Sequence, residues 1–174
     1  MHIVLGVLGL LTAVYFFVIR ARNAAEMTTE LMDIADDVRA AARRFGFRRQ
    51  HAQHPVDAVE EPNIAAATVS VAYLELHGLP TEETRASLSN ALQVILDVSA
   101  KDAEELMVLG RWLMNECGGA QPAIVRASKK LYALGARDVE PLMEILKPVS
   151  ANPLTDQQRE ALHDIRRAFH IKGN

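Results

Sequence analysis

The sequence predicts an all-α protein, and three observations carry that prediction. Apolar residues make up 49 % of the chain but aromatics only 5 %, so Ala and Leu, both strong helix formers, supply much of the apolar content. No segment alternates apolar and polar residues for long enough to read as a strand. Helix punctuation is dense instead: Thr81, Ser99 and Thr155 stand before apolar-periodic stretches, and Gly78, Gly118 and Gly119 follow them. At 174 residues the chain accommodates one sizeable domain and an anchor. It divides into a membrane helix over 1–22, a juxtamembrane amphipathic helix and connector over 23–58, and a domain of five to six helices over 59–174.

The anchor comes first. Ile3 to Ile19 reads IVLGVLGLLTAVYFFVI without a charge, and as a helix it spans ~26 Å, close to the ~30 Å hydrocarbon core. Tyr15, Phe16 and Phe17 fall near the basic end, where aromatic rings favour the interface. A cleaved secretory signal would place its positive charge before the apolar run; here Arg20 and Arg22 follow it. Those arginines also disfavour a buried core helix. By the positive-inside rule the short N-terminus lies outside and the domain faces the cytoplasm. Gly9 and Ala13 form a small-xxx-small pair with Gly6 on a nearby face, the pattern that lets membrane helices pack closely, against another membrane protein or a second copy of the chain.

In the next segment, Met27, Leu31, Ile34, Val38, Ala41 and Phe45 alternate spacings of four and three and draw one seam along a helix. A parallel coiled coil would use such a seam, but the flanking residues offer no complementary charges, so packing on the chain's own domain is the favoured reading. Arg39, Arg43, Arg44, Arg48 and Arg49 run without an intervening acid. At a bilayer surface each would contribute ~1 kcal/mol with anionic lipid. In an upright helix they would stand ~30 Å away, beyond the reach of screened charge. Phe47 to Pro62 reads as a connector.

The domain helices follow in order. The first runs from Pro62 to about His77 with Ala65, Val69, Ala72 and Leu76 on one face, stopped by Gly78 and Pro80. Thr81 caps a second helix to about Asp97, with Leu88, Ala91, Leu92 and Ile95 inward. Ser99 and Asp102 resemble a capping box ahead of the strongest pattern in the chain: Ala103, Leu106, Met107, Gly110, Leu113, Met114 and Cys117. Pro122 to Leu134 and Asp138 to Lys147 read as two more helices. Thr155 with Gln158 forms a capping box for a last helix that buries Leu162, Ile165 and Phe169.

This helical succession, from about Val59 to Ile171, resembles the TerB-like domain of tellurite resistance proteins and membrane-anchored DjlA-type co-chaperones. The best-matching stretch is Ala72-Tyr73-Leu74-Glu75-Leu76-His77-Gly78-Leu79-Pro80-Thr81-Glu82-Glu83, and the N-out anchor is similar to the DjlA arrangement. His77 stands where the family usually has Asp, so the acidic cluster proposed to bind divalent metal in TerB proteins is reduced to Glu82 and Glu83 with Glu75 nearby. The J domain of a co-chaperone is missing: His54-Pro55-Val56 lacks the essential Asp. The resemblance implies a bacterial inner membrane and a cytoplasmic module.

No residue constellation reads as catalytic. Cys117 lies on an apolar stripe without a nearby His, and there is no Gly-rich phosphate loop. A net charge of −3 argues against nucleic acid as a partner. No cofactor is expected. Glu75, His77, Glu82 and Glu83 are the metal candidates, but a capped turn explains them better, since acids favour a helix N-terminus in any case. For partner or lipid contact, the basic run is joined by Trp112, which sits with Glu105, Leu109 and Glu116 off the main apolar face, and by Arg126, Lys129 and Lys130 on the following helix. The expected function is that of a membrane-anchored interaction module: an accessory, assembly or scaffold subunit of an inner-membrane complex or envelope stress system. The alternative is a metal-binding TerB-type domain linked to tellurite or metal stress.

Overall fold

A computed structural model describes residues 36–47 and 53–170. The chain divides into two compact units, Met1–Asp37 and Val38–Asn174. The expected membrane helix, with Gly6, Gly9 and Ala13, lies outside the described residues, as do Arg48 and Arg49. Among the described residues no helix is long and apolar enough to cross a membrane.

All regular structure among the described residues is helical. Helix α1 covers 36–44. A 3-10 turn at Pro55–Ala58 precedes α2 (Pro62–Leu74), α3 (Glu82–Leu96), α4 (Ala100–Glu116), α5 (Ala120–Ala133), α6 (Glu140–Leu146) and α7 (Asp156–Ala168). The punctuation acts where the sequence places it. Thr81 accepts a hydrogen bond from the Thr84 amide, Ser99 from Asp102, and Thr155 with Gln158 makes a full capping box. Each such cap contributes ~1 kcal/mol. At the end of α4, Gly118 N–H donates to Asn115 and Gly119 N–H to Met114, with Gly118 at φ 81°. This left-handed closure requires the freedom of glycine.

Helix α2 is the centre of the bundle. It packs chiefly against α4 and α5, with α3 and α6 on its other sides. The expectation of one inward face on this helix is corrected: every residue from Ile64 to Leu74 is buried. PNIAAATVSVAYL is apolar or small all round, as a helix enclosed by others must be. Its two hydroxyls avoid a desolvation cost by bonding back along the helix, Thr68 to the Ile64 carbonyl at 2.7 Å and Ser70 to Ala66 at 2.8 Å. Small residues also let α4 come close. A Cβ on Gly110 would lie 3.1 Å from the backbone of Ala67 and Thr68.

The other helices differ from expectation in detail. In α3 only Leu88 and Leu92 are buried, and Ile95, expected inward, is 37 % exposed, because α3 lies on the outside of the bundle with a narrow seam. Leu109, grouped with the off-core face of α4, is fully buried. Residues 102, 105, 109 and 112 share one face by helical spacing, and 44–47 cover it. Arg44 Nε reaches Asp102 at 2.5 Å and Glu105 at 3.3 Å, and Phe47 meets Trp112 edge-on at 5.7 Å. Ala41 is buried and Val38 and Phe45 pack against the core, so this part of the linker seam turns onto the chain's own helices. The described part of the connector after residue 52 is more ordered than its composition implied: Val56 and Val59 belong to the core.

Candidate interaction surface

Helices α3 and α4 are joined by only Asp97, Val98 and Ser99. Asp97 takes the left-handed conformation (φ 53°) that closes α3, and Ser99 caps α4, so the pair forms an αα-hairpin. The helices do not close on each other along their outer side. A groove of about 570 Å³ separates them, lined by Glu82, Arg85, Ala86, Ser89, Asn90 and Gln93 from α3 and by Ala100, Glu104, Met107, Val108 and Arg111 from α4. The space exists because Ala86, Ser89 and Ala100 are too small to fill it. Val71 and Leu74 of α2 form its floor.

One end of the groove is held by charge. Glu75, in the 3-10 turn after α2, accepts from Arg111 Nε at 2.5 Å and from Arg111 Nη2. The Glu75 side chain is mostly buried, so removing Arg111 would leave a carboxylate poorly solvated. Glu75 is therefore committed to a partner inside the fold. Glu82 and Glu83 are exposed in the first turn of α3, where carboxylates complement the helix dipole, and His77 ends the 3-10 turn. Among the described residues no group of three or more His, Cys, Asp or Glu side chains is arranged to hold a metal ion.

Two of the three basic residues on α5 bind within the fold. Arg126 makes two hydrogen bonds to the Asp57 carboxylate, at 3.0 and 2.6 Å, and Lys130 Nζ donates to the Asp57 carbonyl at 2.7 Å. Arg126 and Lys130 fasten the 3-10 turn to α5; Arg126 and Lys129 are exposed, and Lys130 is half-buried. The Arg126 guanidinium holds the Asp57 carboxyl below the usual carboxylate range, and Asp57 raises Arg126 in turn. His54 completes the attachment. Its Nδ1 accepts from the Val56 amide at 3.3 Å, so Nε2 carries the proton and donates to the Glu116 carbonyl at 3.2 Å.

Residues with expected contact roles are thus spread over several places. Arg39 and Arg43 are exposed on α1, while Arg44 is tied to α4. Trp112 is half-buried against Phe47. Burial pushes the Cys117 thiol up, so it stays protonated and is a poor nucleophile. Sequence reasoning passed over Asp57, the α3–α4 groove and the Glu75–Arg111 pair. The signal for the first was local: an acid behind His54-Pro55, with apolar Val56 and Val59 at helical-turn spacing. No family model, curated protein or solved structure matches this chain.

Proposed function

We propose that this chain is a membrane-anchored helical interaction module, serving as an accessory, assembly or scaffold subunit at the cytoplasmic face of a bacterial inner membrane. Two features of the sequence support the location: the uncharged run Ile3 to Ile19 and the arginines that follow it. The resemblance of the Ala72–Glu83 stretch to TerB-like domains supports a module of that type. The observation that carries the interaction role is the α3–α4 groove. It is an open, partly apolar cleft on the helical unit, with no convergent nucleophile, base and oxyanion donor in its lining.

A mild-detergent pull-down with the intact chain, repeated with residues 1–22 removed, tests this reading. A defined partner should co-purify with the intact chain, and loss on truncation would place part of its binding within the anchor. If neither form retains a partner, the reading fails. The metal-binding alternative would use the Glu82 and Glu83 turn; Glu75 nearby is already paired with Arg111. Calcium or manganese titration should leave the Tm unchanged; a clear rise would favour the alternative.

A further inference from the structure

Two of the four large apolar side chains that stand open to solvent among the described residues border one feature. Val94, 77 % exposed, lies one helical turn beyond the groove residue Asn90, and Val108 lines the groove from α4. Unpaired charge on the same side is unbalanced. Glu82 opens α3 and Glu104 lies in the second turn of α4, and so they sit toward opposite ends of the antiparallel hairpin. Glu83 falls on an adjoining stripe of α3, and Asp97 closes that helix at the end joined to α4. None of these four carboxylates has a partner among the described residues, and Arg85 is the one unpaired cation beside them, since Glu75 holds Arg111 and Glu105 lies 3.8 Å from Lys101. From Glu82 to Gln93 the groove is ~16 Å long, about three turns of a helix.

An apolar floor with Val94 and Val108 at its edge, and an excess of unpaired acid around it, matches an amphipathic helix whose apolar face enters the cleft and whose cations flank it. We propose that the α3–α4 groove docks a cationic amphipathic helix of a partner protein. The proposal rests on the interaction-module reading and specifies the kind of partner. The acidic rim opposes an anionic lipid surface and so argues against the bilayer as occupant.

The test uses the full chain in zwitterionic nanodiscs and a synthetic helix with leucines on one face, lysines on the other and one photo-crosslinking residue. A second peptide carries glutamate in place of lysine. Crosslinks of the lysine peptide should fall on α3 and α4. Their yield should drop about tenfold in Val94→Lys, which removes an apolar contact and adds repulsion, and in Glu104→Lys, and hold in Lys129→Glu on α5, a change of the size expected when a hot-spot contact is lost. Adsorption of peptide to lipid is common to all variants and cancels in that comparison. Both variants change exposed side chains, and circular dichroism verifies that the helices persist. Crosslinks elsewhere, equal yields in all variants, or equal labelling by the glutamate peptide would each overturn the assignment. A partner from the detergent pull-down whose capture survives both Val94→Lys and Glu104→Lys would leave the module reading standing and the groove assignment refuted.

Discussion

Replacing Gly110 with alanine tests the closest approach between α4 and the central helix. Two opposing effects decide the sign. In an ordinary helix, Gly→Ala stabilises by ~1 kcal/mol, because glycine loses more backbone freedom on folding. Here the new Cβ would sit 3.1 Å from the carbonyl carbon and oxygen of Ala67 and the amide nitrogen of Thr68. Carbon atoms prefer a separation of about 3.5–4.0 Å, so α4 must move outward by roughly 0.4 Å or more. The obstacle is the backbone of a fully buried helix, which has no rotamer to change. Overpacking of this kind costs ~1–3 kcal/mol. The net expectation is a destabilisation of ~0–2 kcal/mol, and Gly110→Leu should be far worse. Urea unfolding of the full chain in mild detergent reads this directly through Trp112, the single tryptophan, which rests edge-on against Phe47. If Gly110→Ala is instead more stable by the full ~1 kcal/mol of helix propensity, the close approach of α4 to α2 is refuted.

Two further predictions concern polar groups. Ser128 is fully buried in α5 and its hydroxyl has no hydrogen-bond partner among the described residues, so Ser128→Ala should raise stability by up to ~1 kcal/mol in the same unfolding assay; a clear loss would reveal a partner for the hydroxyl. Asp57 gives a pH-dependent prediction. Its folded carboxyl titrates below the unfolded value of about 3.9 because Arg126 hydrogen-bonds the ionised form. Its contribution is therefore full above that unfolded value and is lost as pH falls through the folded one. Asp57→Asn should lower the urea midpoint at neutral pH, and the gap from wild type should narrow below about pH 4. A gap that persists unchanged into acid would mean the Arg126 pair is not its source. Asp102, held low first by its Ser99 hydrogen bond and then by Arg44, shifts in the same direction and should keep part of the acid dependence in the variant.

How far the chain could be read in advance follows the range of each interaction. Thr81, Ser99, Thr155 and Gly118 act on amides or carbonyls within a few positions of themselves, and a residue string displays such pairs directly. The same holds for the buried stripe of α4, where Ala103, Leu106, Gly110 and Leu113 repeat with the helical period. The basic residues of α5 were visible as a helical face, but not as a clamp. Arg126 meets Asp57 across 69 positions, and Arg111 meets Glu75 across 36.

The sequence by itself determined that the described chain is helical, which residues cap α3, α4 and α7, and that an uncharged stretch of membrane length precedes two arginines. Those features are set by backbone hydrogen bonding and hydropathy over a few turns. Only the tertiary structure decided that α2 is enclosed on every side, that α1 and the connector pack on the bundle, and that α3 and α4 leave a groove between them. The difference is physical. Capping and periodicity depend on near neighbours in the chain, whereas burial, ion pairing and open space depend on which surfaces the packed helices bring together.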